Sequence, residues 1–169
     1  MSEDSSLLHA GSLISLYKEK VAFPDGGHTY FDIVKHPGGA VIAALNEKDE
    51  ICLLRQWRHA VDRYIWELPA GCLEAGEAPL ITAQRELEEE AGVTATRWTE
   101  LGQICTSPGF SNEILYFFTA QELQPGTAQL DDAEQLEVHW MPLSRVADMA
   151  RSDELIDAKS LALLYRLSL

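Results

Sequence analysis

Residues 79–93 read PLITAQRELEEEAGV, and the last nine positions carry four glutamates and one arginine. Leu80, Ala83, Leu87 and Ala91 fall at i, i+3, i+7 and i+11, one face of an α-helix, with Pro79 suited to its first turn and Gly92 to its C-terminal stop. At about 100° per residue, Glu90 lies roughly 40° to one side of Glu86 and Glu89 roughly 60° to the other, while Glu88 points to the far flank. Three carboxylates thus converge beside the core stripe, where each loses water and gains repulsion from its neighbours. Oxygen-only clusters suit hard cations such as Mg²⁺ or Mn²⁺. The helix is therefore either an exposed acidic face or a metal-binding one.

Working outward, alternation and β-branched or aromatic content predict strands over Ser12 to Phe23, His28 to Lys35, Ala40 to Leu45 and Glu50 to Trp57, joined by turns at PDGG and NEKDE. The stretch LPAGCLEAGEAP fits neither period and reads as a loop leading into the helix. Beyond the helix, strands are predicted at Arg97 to Ile104, Ile114 to Ala120 and Leu136 to Met141, then helices over Leu143 to Ala150 and Ile156 to Leu167. No repeat or low-complexity linker interrupts the 169 residues, a length suited to one domain.

The formal net charge of −14 opposes nucleic-acid phosphates, so no nucleic-acid partner is expected. A small polyanionic substrate remains compatible if metal ions and local arginines reverse the sign within one cleft. No apolar run approaches a membrane span, and the start MSEDSSLLHAGS lacks the basic and apolar regions of a secretory signal, which predicts a cytoplasmic protein. Three cysteines without a CxxC pair suit a reducing compartment and a packing role, and the five histidines show no metal-ligand spacing.

Gly71, Glu77, Arg85, Glu86, Leu87, Glu89, Glu90, Gly92 and Val93 satisfy the pattern G-x5-E-x7-R-E-U-x-E-E-x-G-U, with U aliphatic. At residue frequencies of roughly 5 to 10%, its seven fixed identities coincide by chance on the order of once in 10⁷ to 10⁹ windows. This is the Nudix box, and the chain resembles the Nudix hydrolases. The resemblance implies an α/β fold, an α/β/α sandwich with a mixed central sheet, plus an added N-terminal antiparallel sheet. One domain over 1–169 would divide into N-terminal strands (1–36), expected to form a homodimer, and a core (37–169). It also implies a Mg²⁺ cofactor, with Mn²⁺ as an alternative, held by Glu86, Glu89 and Glu90 and by the carbonyl of Ala70. Arg85 is expected to point away from the metal face and, with Glu77, to brace the loop against the helix.

The segment LLRQWRHAVDRYIWELPAG and the later TSPGFSNE resemble the branch that hydrolyses ADP-ribose and nucleoside diphosphate sugars. By that resemblance Arg58 would bind the diphosphate or terminal ribose, with Arg55 near the same cleft and Pro108 marking the branch. Bidentate guanidinium donors suit phosphate oxygens. Glu67 would reach the metal shell or hydrogen-bond the loop. The general base would come from LDDAEQLEVHW, with Glu134 preferred over Asp132; Glu134, Glu89 and Arg85 are then the catalytic candidates. Tyr17 and Tyr30 are candidates to stack on the nucleobase. Rival readings are a housecleaning nucleoside triphosphate or coenzyme A pyrophosphatase, and a non-catalytic nucleotide-sugar sensor.

Overall fold

A computed structural model of the chain describes residues 5–129 and 135–168. Strands β1 (Ser5–Ala10), β2 (Ser15–Ala22) and β3 (His28–Lys35) form an antiparallel sheet in that order. Strands β4 (Gly39–Ala44), β5 (Glu50–Arg58), β6 (Arg63–Glu67) and β7 (Ala70–Cys72) then precede helix α1 (Pro79–Ala91). The long strands β8 (Val93–Cys105) and β9 (Ile114–Pro125), then β10 (Leu136–Pro142), lead to helices α2 (Leu143–Arg151) and α3 (Ala158–Leu167). One sheet has the order β7-β4-β9-β8, with β4 and β9 parallel; the other is antiparallel, β10-β5-β6.

The central strand β4 reads GAVIAA and is buried throughout, as a near-continuous apolar run requires when both faces are covered. Its two faces belong to two cores. Val41 and Ala43 pack with Ile51, Leu53 and Phe117 against Val146, Met149 and Leu163 of α2 and α3. Ala40, Ile42 and Ala44 pack with Cys52, Leu54 and Phe118 against Ala83 and Leu87 of α1. The strands thus lie between α1 and the α2/α3 pair, the α/β/α layering that the sequence suggested, with the N-terminal sheet added. Among the described residues no helix is long and apolar enough to cross a membrane.

Three differences from the sequence reading bear on the site. The stretch read as loop contains β7, which pairs with β4 through Ala70 and Val41; three residues are too few to display a period of two. Strands β1 and β6 were not anticipated, and β8 starts at Val93, directly after the helix stop at Gly92. Leu80, assigned to the buried face of α1, is 37% exposed, and Thr82 and Glu90 are buried instead. Gly92 has φ of +65° and donates its N–H to the Glu88 carbonyl, so the chain leaves α1 through the left-handed conformation that glycine tolerates best.

Candidate active site

Strand β7 and helix α1 form one wall of a cavity of about 750 Å³. A Cβ at Gly71 would stand 1.9 Å from the Glu86 carboxyl, so the absence of a side chain there is what lets Glu86 lie against the strand. Glu90 is 2% exposed, and its Oε2 accepts the Ala70 N–H at 2.9 Å. Glu89 lines the same wall, whereas Glu88 lies outside it, its Oε1 3.4 Å from the Thr127 N–H. Periodicity therefore sorted the four glutamates as the fold does.

Arg85 corrects the expectation that it points away from this face. Its Nη1 donates to Glu86 Oε1 at 2.7 Å and to Glu89 Oε2 at 3.0 Å, and its Nη2 reaches the Cys72 carbonyl at 3.1 Å. The helical angle fixes a Cα direction, but a side chain this long bends back along the helix. Glu77 accepts from Nε and Nη2, both at 3.1 Å, and from Thr82 Oγ1 at 2.8 Å, so the loop is tied to the first turns of α1. The Arg85 bond lowers the Glu77 carboxyl to about 2, and Glu77 in turn raises Arg85 well above its ordinary value.

Two cations, Arg58 and Lys159, line the same cavity. Arg58, at the end of β5, holds Glu67 through Nε to Oε1 at 2.5 Å and Nη2 to Oε2 at 2.6 Å. Lys159, from the first turn of α3, donates to the same Glu67 Oε2 and to Asp157 Oδ2. Burial pushes the Glu67 carboxyl up, but the Arg58 bond and the Lys159 charge outweigh it and leave the group below its usual value. The Glu67 bond raises Arg58 against the opposing effect of burial. Among the described residues Glu67 hydrogen-bonds no loop group; its side chain binds two cations, Arg58 and Lys159.

Other candidates fall elsewhere. Arg55 does not line the cavity; it stacks over Tyr64 at 4.7 Å and lies 3.4 Å from Glu137. Residues three apart on a strand face opposite ways, so Arg55 and Arg58 leave β5 on different faces. Tyr17 and Tyr30 sit on the N-terminal sheet, Tyr30 beneath Lys18, and neither lines the cavity. Pro108 lies in the turn after β8, outside the lining, while Glu113 of the same quoted segment reaches it and lies 3.4 Å from His36 Nδ1. Glu134 and Asp132 fall outside the described residues. Lys159, Gln56, His36 and Glu113 were missed. Asp157 followed by a helical pattern announces the start of α3, but no local signal says that this turn meets β6.

The residues fit a divalent cation by chemistry and position. The donors are all oxygens, from Glu86, Glu89 and Glu90 on one helix and Ala70 on the neighbouring strand, and Gly71 lets Glu86 approach that strand closely. Among the described residues, no three acidic, histidine or cysteine side chains stand in ready-made ligand geometry: Arg85 holds Glu86 and Glu89, and Ala70 holds Glu90. The lining includes Arg58, Arg85 and Lys159 against Glu74, Glu86, Glu89, Glu90 and Glu113. A diphosphate entering a cavity of that balance requires added positive charge.

Comparison with known proteins identifies the family. The NUDIX domain family matches residues 35–164. An ADP-ribose pyrophosphatase of Bacillus subtilis (strain 168) is 41% identical over 155 residues, covering 90% of this chain and 84% of the relative. An ADP-ribose pyrophosphatase of Mycobacterium tuberculosis (strain ATCC 25618 / H37Rv) is 35% identical over 162 residues, covering 94% of this chain and 78% of the relative. A solved ADP compounds hydrolase shares the fold at a TM-score of 0.85 and 20% identity, over 98% of this chain and 90% of its own. The complete box on β7 and α1, the family match across most of the chain and the two relatives together establish that the chain belongs to the Nudix family.

Proposed function

We propose that the chain is a Mg²⁺-dependent pyrophosphatase, with Mn²⁺ as an alternative, that hydrolyses ADP-ribose or a related nucleoside diphosphate sugar to a nucleoside monophosphate and a sugar phosphate. The observation that carries this reading is the gathering of three carboxylates, Glu86, Glu89 and Glu90, and two cations, Arg58 and Lys159, in the lining of one cavity. The ADP-ribose pyrophosphatases among its relatives support the substrate class.

Glu86, Glu89, Glu90 and the Ala70 carbonyl hold the cation. When bound, a divalent cation neutralises phosphate oxygens and lowers the pKa of a bound water. Arg58 keeps Nη1 for the diphosphate while Glu67 holds its Nε and Nη2. Arg85 orients Glu86 and Glu89 from the side. Glu134, with Asp132 as the alternative, takes a proton from the attacking water. Phosphoryl chemistry of this kind depends chiefly on positioning and charge neutralisation, so no serine or cysteine nucleophile is needed.

The N-terminal strands (1–36) extend the core (37–169) and form the homodimer. Leu7, Leu8, Val21 and Phe31 are exposed on that sheet, and such apolar exposure suits a second copy. Tyr17 or Tyr30 stacks on the base from there, and the protein works in the cytoplasm.

The test is a panel of ADP-ribose, GDP-mannose, ADP-glucose, UDP-glucose, coenzyme A and 8-oxo-dGTP with Mg²⁺ or Mn²⁺ and an EDTA control. Metal-dependent release of a nucleoside monophosphate and a sugar phosphate from the diphosphate sugars is expected. Activity confined to the triphosphate, with inorganic pyrophosphate as product, or to coenzyme A would replace the substrate class; silence across the panel would favour a sensor.

A further inference from the structure

Glu67 is 1% exposed, yet it is ionised between two cations of different elements. Burying a carboxylate costs several kcal/mol unless charge and hydrogen bonds compensate, and here Arg58 and Lys159 supply both. The pair is more than local neutralisation, because the two cations differ in what they retain. Arg58 gives Nε and Nη2 to Glu67, and among the described residues its Nη1 has no partner; its side chain is 40% exposed toward the cavity. Lys159 is 17% exposed and divides its ammonium between Glu67 and Asp157.

The first turn of α3 is itself fastened to the strand that carries Glu67. Asp157 caps α3 by accepting the Ser160 N–H at 3.0 Å and the Ser160 hydroxyl at 2.6 Å. Ser160 Oγ in turn accepts the Leu68 N–H at 2.7 Å, one residue beyond Glu67. Two ties therefore join the turn to adjacent residues, one to backbone and one to the carboxylate. A continuous chain of charge-assisted bonds runs from Asp157 through Lys159 and Glu67 to Arg58.

We infer that Lys159 and Glu67 are positioning residues that set the direction of the Arg58 guanidinium, so that the N-terminal turn of α3 governs how tightly the diphosphate is bound. This rests on the proposed function for the role of Arg58 at the diphosphate. Without Lys159, Glu67 Oε2 loses its second donor and faces Asp157 with the shared cation gone. The carboxylate then turns, and Arg58, bonded to it through two nitrogens, turns with it. The step affects ground-state and transition-state binding of the diphosphate alike, so it falls on KM and leaves kcat in place.

The experiment compares Lys159→Met, Lys159→Arg, Glu67→Gln, Arg58→Ala and the Arg58→Ala/Lys159→Met double variant in ADP-ribose hydrolysis. Alongside, the Arg58 Nε–H resonance is followed by NMR in metal-free protein. Lys159→Met is expected to raise KM about tenfold, the scale of one misdirected charge-assisted hydrogen bond, with kcat changed less than about threefold. Lys159→Arg restores KM to within about threefold, and in the Arg58→Ala background Lys159→Met adds nothing. The Nε–H resonance moves in Lys159→Met and returns in Lys159→Arg. Glu67→Gln repeats the KM effect if it folds; Lys159→Met, which removes a less buried group, keeps the test decisive if it does not. A KM within twofold of wild type in Lys159→Met, or a further tenfold rise in the Arg58→Ala background, overturns the inference. A wild-type protein inactive on every diphosphate sugar, with an Nε–H resonance that still follows Lys159, refutes the proposed function and supports the coupling.

Discussion

Replacing Gly71 with alanine tests whether the Glu86 carboxyl must lie against β7. The new Cβ stands 1.9 Å from Glu86 Cδ and Oε1, whereas non-bonded carbons settle at about 3.5 to 4.0 Å. The carboxyl must therefore retreat by at least about 1.6 Å, the difference between those distances. What yields is the far end of a flexible side chain rather than backbone, so the loss of stability stays below the roughly 1 to 3 kcal/mol of an overpacked core. Chemistry is less tolerant: a misplacement of about 1 Å can cost on the order of 10²-fold. Gly71→Ala is accordingly expected to melt within about 4 °C of wild type by calorimetry. Its kcat on the preferred diphosphate sugar falls about 10- to 100-fold, and its Mn²⁺ affinity, measured by electron paramagnetic resonance, weakens. Wild-type kcat with unchanged Mn²⁺ affinity would refute the reasoning. So would a much larger fall in melting temperature, since it would show that backbone and not Glu86 had moved.

Three further outcomes follow from the same geometry. Glu90→Gln keeps an oxygen that can accept the Ala70 N–H, so the variant stays folded by circular dichroism while turnover disappears; retention of more than about a tenth of kcat would remove Glu90 from the cation site. Glu77 has a folded-state value of about 2 against an ordinary 4.5, because Arg85 holds it ionised. Its stabilisation is complete above about pH 4.5 and is lost as pH falls from there through about 2, so the difference in melting temperature between wild type and Glu77→Gln should narrow on acidification, and a gap independent of pH would count against the bond. Leu87 is fully buried between α1 and the sheets, so Leu87→Ala should lower the urea-unfolding free energy by about 2 to 5 kcal/mol; a loss under about 1 kcal/mol would mean that the helix face is packed differently.

Local pattern and tertiary placement divide what the sequence could disclose. Helix α1 was legible because period, proline start, glycine stop and box all name the same residues, and β4 because an unbroken apolar run has few other uses. Strand β7 was not, since three residues carry no period, yet it is what brings Ala70 beside Glu90. Arg55 is a different kind of miss: once β5 was read as a strand, its separation of three from Arg58 already started the two side chains on opposite faces, so period two carried a signal. Arg85 was misdirected because an angle about a helix axis describes where a side chain begins, and a guanidinium ends about four bonds later. Lys159 had no signal at all. It stands 92 positions from Glu67 in sequence, and tertiary contacts bring the two together: the hydrogen bond from Leu68 to Ser160 and the packing of α3 into the core beside Leu68. The same limit applies to charge. A net −14 describes the whole chain, but a substrate meets only the lining of one cavity. There Arg58 and Lys159, held by a single buried carboxylate, share the lining with Glu86, Glu89 and Glu90, so charges of both signs meet in one place, which a sum over residues cannot express.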